Sequence, residues 1–334
     1  MNILCGDIGG TKTRLAVYAV DDFPKPIAEN SYLSRNFSSL TEITHKFLTD
    51  LNLPIAYAVF GLAGPILERR CKITNLPWQI DADVIEQELQ IPSVHLINDL
   101  EATAYGIAAL SKRDFLTLQR GSAKPCGNRA VIAAGTGLGQ AGMFWDGAKH
   151  VAFATEGGHC DFAPGNKLEF ELLSTLKQNN NNVCWDDILS GPGLISIYSF
   201  LYGRHNQPEP EWFTNYQTAG DAAETITNLA NDQLDPIAVE ALEMFSRLYG
   251  AEAGNLALKH MATGGLYIGG GIAPKIVRWL QQPQFIEAFC QKGKMHSLMQ
   301  SIPIQVILND RAALYGPAIY LINHVLEKQK GPSH

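Results

Sequence analysis

The sequence predicts an α/β protein built as two similar halves facing one another across a cleft. Three observations carry that expectation. A strand followed by a polar glycine turn occurs twice, at Gly6-Asp7-Ile8-Gly9-Gly10-Thr11 and at Gly135-Thr136-Gly137-Leu138-Gly139. Short apolar runs alternate with segments of helical period, the pattern of sheets covered by helices. The chain of 334 residues, 46% apolar and 18% charged, has material for about two domains at roughly 150 residues each. Cores of that size need no disulfide or metal staple.

The first half opens with strands over 2–6 and 15–20, ending at a break marked by Pro24 and Pro26. Two strands joined by a glycine turn make a hairpin, not the crossover of a dinucleotide fold. Ser39-Leu40-Thr41-Glu42 reads as a capping box, in which Ser and Glu satisfy each other's exposed amides. Leu40, Ile43, Phe47, Leu48 and Leu51 then recur on one helical face. Residues 55–60 form a buried strand leading into Gly61-Leu62-Ala63-Gly64-Pro65. Residues 93–97 form another, ending at Asn98-Asp99, and an alanine-rich helix continues over 100–110.

The pattern restarts with a strand over 129–134 that runs into the second glycine turn. Residues 142–145 supply its hairpin partner and 151–154 the next strand. The asparagine run 179–182 is a loop. Asp235-Pro236 offers an N-cap and an N1 proline for a long helix reaching about His260, with Leu242, Phe245, Leu248 and Tyr249 on its apolar side. A late strand over 266–271 is broken by glycine. After the last strand, 304–308, the chain runs helically back to the first half. The boundary falls near 108–112, giving a small domain of 1–110 plus 309–334 and a large one of 111–308.

Charge and cysteine usage exclude several classes. Lys and Arg number 26 against 33 Asp and Glu, a net of −7 with no basic run, so a phosphate backbone is an unsuitable partner. No stretch of 18 apolar residues exists to make a spanning helix. Met1-Asn2-Ile3-Leu4-Cys5-Gly6-Asp7 lacks the basic start of a signal peptide and reads as a strand. Cys5, Cys71, Cys126, Cys160, Cys184 and Cys290 contain no Cys-x-x-Cys pair, which leaves reduced thiols in a cytoplasmic protein.

The two glycine turns carry the chemistry. Adjacent glycines let backbone amides approach an anion with no side chain in the way. Asp7 would repel a bare phosphate and makes sense beside a divalent cation, while Thr11 offers a hydroxyl. Either turn alone is equally an ordinary hairpin. Neither is a Walker loop, and neither has the Gly-x-Gly-x-x-Gly spacing. Offered from opposite walls, two such turns imply a polyphosphate gripped from both sides. Gly269, Gly270 and Gly271 follow a strand and would let a flat ring lie against backbone.

Taken together, these segments resemble the superfamily of sugar kinases, heat-shock ATPases and actin, with two ribonuclease H-like domains around ATP. Within it the chain is similar to bacterial glucokinases outside the ROK group. The likeness runs through GDIGGTKTRLAV, FGLAGPI, TNLPW, LINDLEATAYGI, AAGTGLGQA, EGGHCDFAP, LSGPGL and GGLYIGGGIAP, in that order. It implies ATP-dependent phosphorylation of glucose at the 6-hydroxyl, a cytoplasmic homodimer, and Mg²⁺ as the accompanying ion. Asp99 corresponds to the general base that takes the hydroxyl proton, and as the residue after a strand it could also cap the following helix. Asn98, Glu156 and His159 match sugar contacts. Where the family usually has Glu four residues before the serine of Ser-Gly-Pro-Gly, this chain has Asp186, with Asp187 adjacent and able to compete. That shortens the reach toward the anomeric carbon by one methylene. Gly6, Asp7, Ile8, Gly9, Gly10 and Thr11 match one phosphate segment, and Gly135, Thr136 and Gly137 the other. Gly269, Gly270 and Gly271 match the adenosine segment, and Asp7 the carboxylate that reaches Mg²⁺ through water. A kinase for fructose, mannose or an amino sugar fits the same residues. A ROK-type regulator is expected to carry a helix-turn-helix and a zinc loop that these residues do not show, and a chaperone ATPase a further peptide-binding domain.

Overall fold

The computed structural model describes residues 1–49, 51–73, 76–216 and 219–326. Thr74 and Asn75 of the TNLPW segment, and 327–334 of the expected small domain, lie outside the described residues. The chain divides into two compact units. Among the described residues, the first comprises Met1–Lys112, Ala152–Ala154 and 309–326, and the second Arg113–Val151 and Thr155–Leu308.

The first unit contains β1 (Asn2–Ile8), β2 (Lys12–Ala19), β3 (Pro26–Leu33) and β4 (Tyr57–Leu62). A small antiparallel sheet of β5 (Ile66–Leu67), β6 (Arg70–Lys72) and β7 (Gln79–Asp81) follows, then β8 (Val94–Asn98). The main sheet has the order β3-β2-β1-β4-β8. Its first three strands form an antiparallel meander, while β1, β4 and β8 run parallel. Central strands covered on both faces read as continuous apolar runs, and Ile3, Leu4, Cys5 and Ile8 of β1 are fully buried. Leu40, Ile43 and Phe47, on the Leu40–Thr49 helix, join Leu4, Leu15, Val17 and Phe60 in one core.

Two local readings change. Pro26 opens β3 and does not end the hairpin; the missing N–H is tolerated at the first residue of an edge strand. At the Leu40–Thr49 helix, Ser39 Oγ accepts the Glu42 N–H at 3.1 Å as expected. The Glu42 carboxylate, however, takes the N–H and hydroxyl of Ser38, both at 2.7 Å, and not the Ser39 amide. The other face of the sheet is covered by the Asp99–Gly106 helix and, from the end of the chain, the Ala312–Leu321 helix. Those two helices touch through reciprocal glycines. A Cβ at Gly316 would collide with the Ala102 carbonyl, and one at Gly106 with the Ala312 carbonyl.

The second unit repeats the plan. Its sheet is made of β9 (Phe115–Gln119), β10 (Arg129–Ala134), β11 (Leu138–Trp145), β12 (His150–Thr155, of which Ala152–Ala154 group with the first unit), β13 (Gly265–Gly269) and β14 (Ile304–Ile307), ordered β12-β11-β10-β13-β14-β9. A hairpin of β10 and β11 again leads into parallel strands, here β10, β13 and β14, with β9 added antiparallel at the far edge. The Pro236–His260 helix runs through its core, with Leu242, Phe245, Leu248 and Tyr249 fully buried. Each such side chain contributes roughly 1.5–3 kcal/mol of burial. Asp235 starts that helix as expected. Its Oδ1 accepts from the amides of Ile237 (2.8 Å) and Ala238 (3.3 Å), and its Oδ2 from the hydroxyls of Tyr198 (2.6 Å) and Tyr202 (3.0 Å).

Candidate active site

In the first unit the candidate residues gather at the C-terminal ends of the parallel strands, where ligands of α/β sheets collect. Asp7 of β1 pairs with Gly61 of β4, and Leu62 of β4 with Asn98 of β8, so three strand ends share one edge. The 6–11 turn is closed by the Gly9 N–H donating to the Lys12 carbonyl at 3.0 Å. Ser34, just after β3, braces it, its hydroxyl donating to the Gly9 carbonyl (2.9 Å) and its amide to the Thr11 carbonyl (3.0 Å). Gly6 is required by packing, because a Cβ there would lie 2.5 Å from the Phe60 ring. Thr11 is exposed.

Asp7 is only partly exposed, and burial pushes its carboxyl up to about 6. Arg14 and Lys12 pull it back and Asp310 pushes it further; Arg14 and Asp310 form an ion pair at 2.8 Å. A carboxylate that is costly to ionise alone is suited to a neighbouring cation.

Asn98 and Asp99 divide the work at the end of β8. Asn98, buried to 7% exposure, is the N-cap; its Oδ1 accepts from the amides of Leu100 (2.9 Å) and Glu101 (3.3 Å). Asp99 follows as the first helical residue, with Oδ1 2.8 Å from the Leu100 nitrogen. The capping duty allowed for Asp99 is therefore carried mainly by Asn98, whose Nδ2 is left as the group to meet a hydroxyl. Gly61 lets the helix press onto β4, since its Cβ would sit 2.9 Å from that of Ala102 and 3.8 Å from the Asp99 Cα.

In the second unit three glycine segments meet at the ends of β10 and β13. Gly135 N–H donates to the Gly137 carbonyl (2.8 Å), and the Gly135 carbonyl accepts from Gly191 N–H (2.9 Å). Gly270 has φ +81°, and a Cβ on it would collide with the Ala134 carbonyl. Gly135 and Gly271 differ from these: a Cβ on either would meet nothing within 4 Å. Their bareness serves no packing purpose and leaves the backbone there open. Ser190-Gly191-Pro192-Gly193, which the sequence reading gave no site role, completes this ring. Ser190 Oγ accepts the Gly193 amide at 3.1 Å to cap the Gly191–Arg204 helix. The Ser-Gly-Pro-Gly spacing was the available signal, an N-cap followed by an N-terminal proline.

The same unit gathers Glu156, His159 and Asp186. Glu156 precedes a short 3₁₀ turn, Gly157–His159, and His159 ends it; both are exposed. Asp186 stitches this turn to the glycine loop. Its amide donates to the Gly158 carbonyl (2.8 Å), and its Oδ1 accepts the Leu138 N–H (2.5 Å). A Cβ on Gly158 would collide with the Leu138 carbonyl. Asp187 turns elsewhere, its Oδ2 accepting from the Cys184 amide (2.8 Å) and thiol (3.2 Å). His159 Nδ1 lies 3.9 Å from the Cys184 sulfur.

A hairpin-led sheet built twice, with a bare glycine turn between its first two strands each time, defines the actin-like ATPase class to which sugar kinases belong. Comparison with known proteins narrows the class. A protein-family model described as Glucokinase matches residues 4–324, and the chain belongs to the glucokinase family. A glucokinase of Nostoc sp. is 42% identical over 334 residues, covering 95% of this chain and 98% of the relative. Among solved structures, a glucokinase from an Antarctic psychrotroph superposes with a TM-score of 0.82 at 30% identity, covering 96% of this chain and 99% of the other. A Balamuthia mandrillaris glucokinase, solved in complex with glucose, has a TM-score of 0.79 at 21% identity, with coverage of 95% and 92%, and supports the fold.

Proposed function

We propose that the protein transfers the γ-phosphoryl group of ATP to the 6-hydroxyl of glucose, giving glucose 6-phosphate and ADP. The observation that carries the reading is 42% identity to a glucokinase over 95% of the chain. Asp99, at the start of its helix, accepts the proton of the 6-hydroxyl as that oxygen attacks phosphorus. Phosphoryl transfer has a loose transition state, so the carboxylate's main task is to position the nucleophile. Asn98 Nδ2 donates to a neighbouring sugar hydroxyl. Glu156 and His159 hold hydroxyls near the first carbons, and Asp186 reaches the anomeric side with the oxygen not bound to Leu138. Backbone amides of the 6–11 and 135–137 turns receive the phosphates, and 269–271 lies against the adenosine.

Mg²⁺ bound with ATP supplies charge neutralisation on the phosphates. Among the described residues no group of three or more His, Cys, Asp or Glu could hold a metal. Asp7 reaching the ion through water suits a cation that keeps most of its hydration shell. The cytoplasm is the fitting compartment, since none of the six cysteines is bonded to another. A homodimer is the expected assembly, read out by sedimentation.

A second reading has one specific support. Asp186 is shorter than the usual Glu and is tied to Leu138, which loosens control at the anomeric carbon. An ADP-release assay over glucose, fructose, mannose and glucosamine separates the two. Glucose is expected to show the highest kcat/KM, and a higher value for any other hexose would replace the assignment.

A further inference from the structure

Behind the 156–159 turn lies a chain of polar groups, two buried (Gln140 and Glu252) and two half-buried (Asn255 and Lys292). Gln140, on β11, is 1% exposed, and Glu252, in the middle of the Pro236–His260 helix, is fully buried. Gln140 Nε2 donates to Glu252 Oε1 at 2.8 Å, and Asn255 Nδ2 donates to Glu252 Oε2 at 2.9 Å. Lys292 Nζ donates to Asn255 Oδ1 at 2.7 Å and to the Ala251 carbonyl at 2.8 Å. Gly254 makes room for the lysine stem, since a Cβ there would lie 2.6 Å from Lys292 Cε. Burial pushes the Glu252 carboxyl up, opposed by its hydrogen bonds from Asn255 and Gln140 and then by the charges of Lys259 and Lys292.

The hydrogen bonds of this chain have one consistent direction. A lysine can only donate, so Asn255 must turn its oxygen to Lys292 and its amino group to Glu252. Glu252 then receives donors on both oxygens, which a carboxylate can do and a neutral amide cannot. Gln140, with its amino group committed to Glu252, is left with Oε1 facing the backbone at Gly157. A Cβ on Gly157 would collide with that oxygen. Gln140 also accepts on its own carbonyl from the Thr155 hydroxyl (3.1 Å), which in turn accepts the Gly157 amide (3.3 Å). On either side of Glu156, Thr155 is thus held by the Gln140 backbone carbonyl and Gly157 rests against the Gln140 side chain, whose orientation is fixed from Lys292.

We propose that Gln140 and Glu252 are positioning residues that set the 155–159 turn and thereby the affinity for the sugar. The inference rests on Glu156 and His159 holding that sugar. In Glu252→Gln one acceptor is replaced by a donor. Either the Asn255 bond or the Gln140 bond is lost, or Gln140 flips and turns its amino group to Gly157. In Gln140→Glu two carboxylates face each other. The double variant Gln140→Glu/Glu252→Gln restores every bond: the amide introduced on the helix donates to the carboxylate introduced on β11 and accepts from Asn255, and an oxygen again faces Gly157.

The test measures KM for glucose, kcat, and hydrogen exchange of peptides spanning 150–162 in the full-length protein. Each single variant is expected to raise glucose KM about tenfold with kcat within about twofold, and to speed exchange of those peptides; the swap returns all three toward the wild-type values. Unchanged exchange in both singles overturns the proposal, as does a swap no better than the singles, since a merely structural loss is not rescued by exchanging the pair. Glu156→Gln separates the two failures. If it leaves glucose KM unchanged, the assignment of Glu156 to the sugar fails. If it raises glucose KM while the faster-exchanging singles do not, the positioning role alone fails.

Discussion

Replacing Asp186 with alanine removes one of two bonds that differ in kind. The residue's amide bond to Gly158 is backbone and survives; the carboxylate bond to the Leu138 N–H, at 2.5 Å, is lost. A hydrogen bond to a charged acceptor contributes about 1.5–3 kcal/mol net. Leu138 is only 6% exposed, so water does not readily replace the lost acceptor. At roughly 2–4 °C per kcal/mol for a unit of this size, Asp186→Ala lowers Tm by roughly 3–12 °C. Leu138 closes the 135–137 turn, so the damage reaches the nucleotide side. KM for ATP and for glucose both rise, each by about tenfold or more. Asp186→Asn is the control: it keeps an oxygen for Leu138 and loses only the charge. It holds Tm and ATP KM near wild type while raising glucose KM. Thermal melts and a coupled ADP-release assay, with each substrate varied in turn, read all of this. An alanine variant with unchanged Tm and unchanged ATP KM would refute the reasoning and leave Asp186 as a sugar ligand alone.

Asp99→Asn should lower kcat by about a hundredfold to ten-thousandfold while equilibrium binding still detects glucose; near-normal turnover removes Asp99 as base. Asp7 tests a different quantity. With its carboxyl at about 6 in the native state and near 3.9 unfolded, the native state binds the extra proton between those values. Stability therefore falls as pH climbs through that window, by roughly 2–3 kcal/mol, and stays lower above it. Asp7→Asn is expected to be more stable than wild type at pH 7.5, equally stable near pH 4, and severely impaired with MgATP. Urea melts at the two pH values check the first two expectations. A variant no more stable at pH 7.5 would contradict the burial argument. Gly270→Ala puts a Cβ at φ +81° against the Ala134 carbonyl. It should cost about 1–3 kcal/mol and raise ATP KM more than glucose KM, whereas an unaltered melt would show the turn to be pliable.

What could be read from the residues, and what could not, follows the range of the interactions involved. Asp235-Pro236 states a helix start in two adjacent residues, and the glycine turns state themselves between two apolar strands. The roles of Asn98 and Asp99 could not be apportioned so simply. Both are good caps, and only the point where β8 stops pairing with β4, at Asn98, decides which one takes the amides. Glu42 was expected to reach Ser39 and instead reaches Ser38, a choice between neighbours that spacing alone leaves open. β3 hid behind Pro26 because proline marks strand edges as well as breaks. Gln140 and Glu252 were illegible for a stronger reason. They are 112 positions apart, and neither sits in a pattern that asks for a partner until strand and helix are packed.

The reciprocal glycines of the first unit have a consequence in time. The Asp99–Gly106 helix is complete early in the chain, but the helix that fits its Gly106 begins only at Ala312. Roughly two hundred residues separate Lys112 from Asn309, which at 5–20 residues per second is a delay of roughly 10–40 s during synthesis. For that interval the early segment has its sheet strands and lacks its covering helix. The second unit, nearly continuous in sequence, can fold while the first still waits for its final helix. A ribosome stalled just after Leu308 would therefore present an unfinished N-terminal sheet. Limited proteolysis of such nascent chains should cut the first unit while sparing the second.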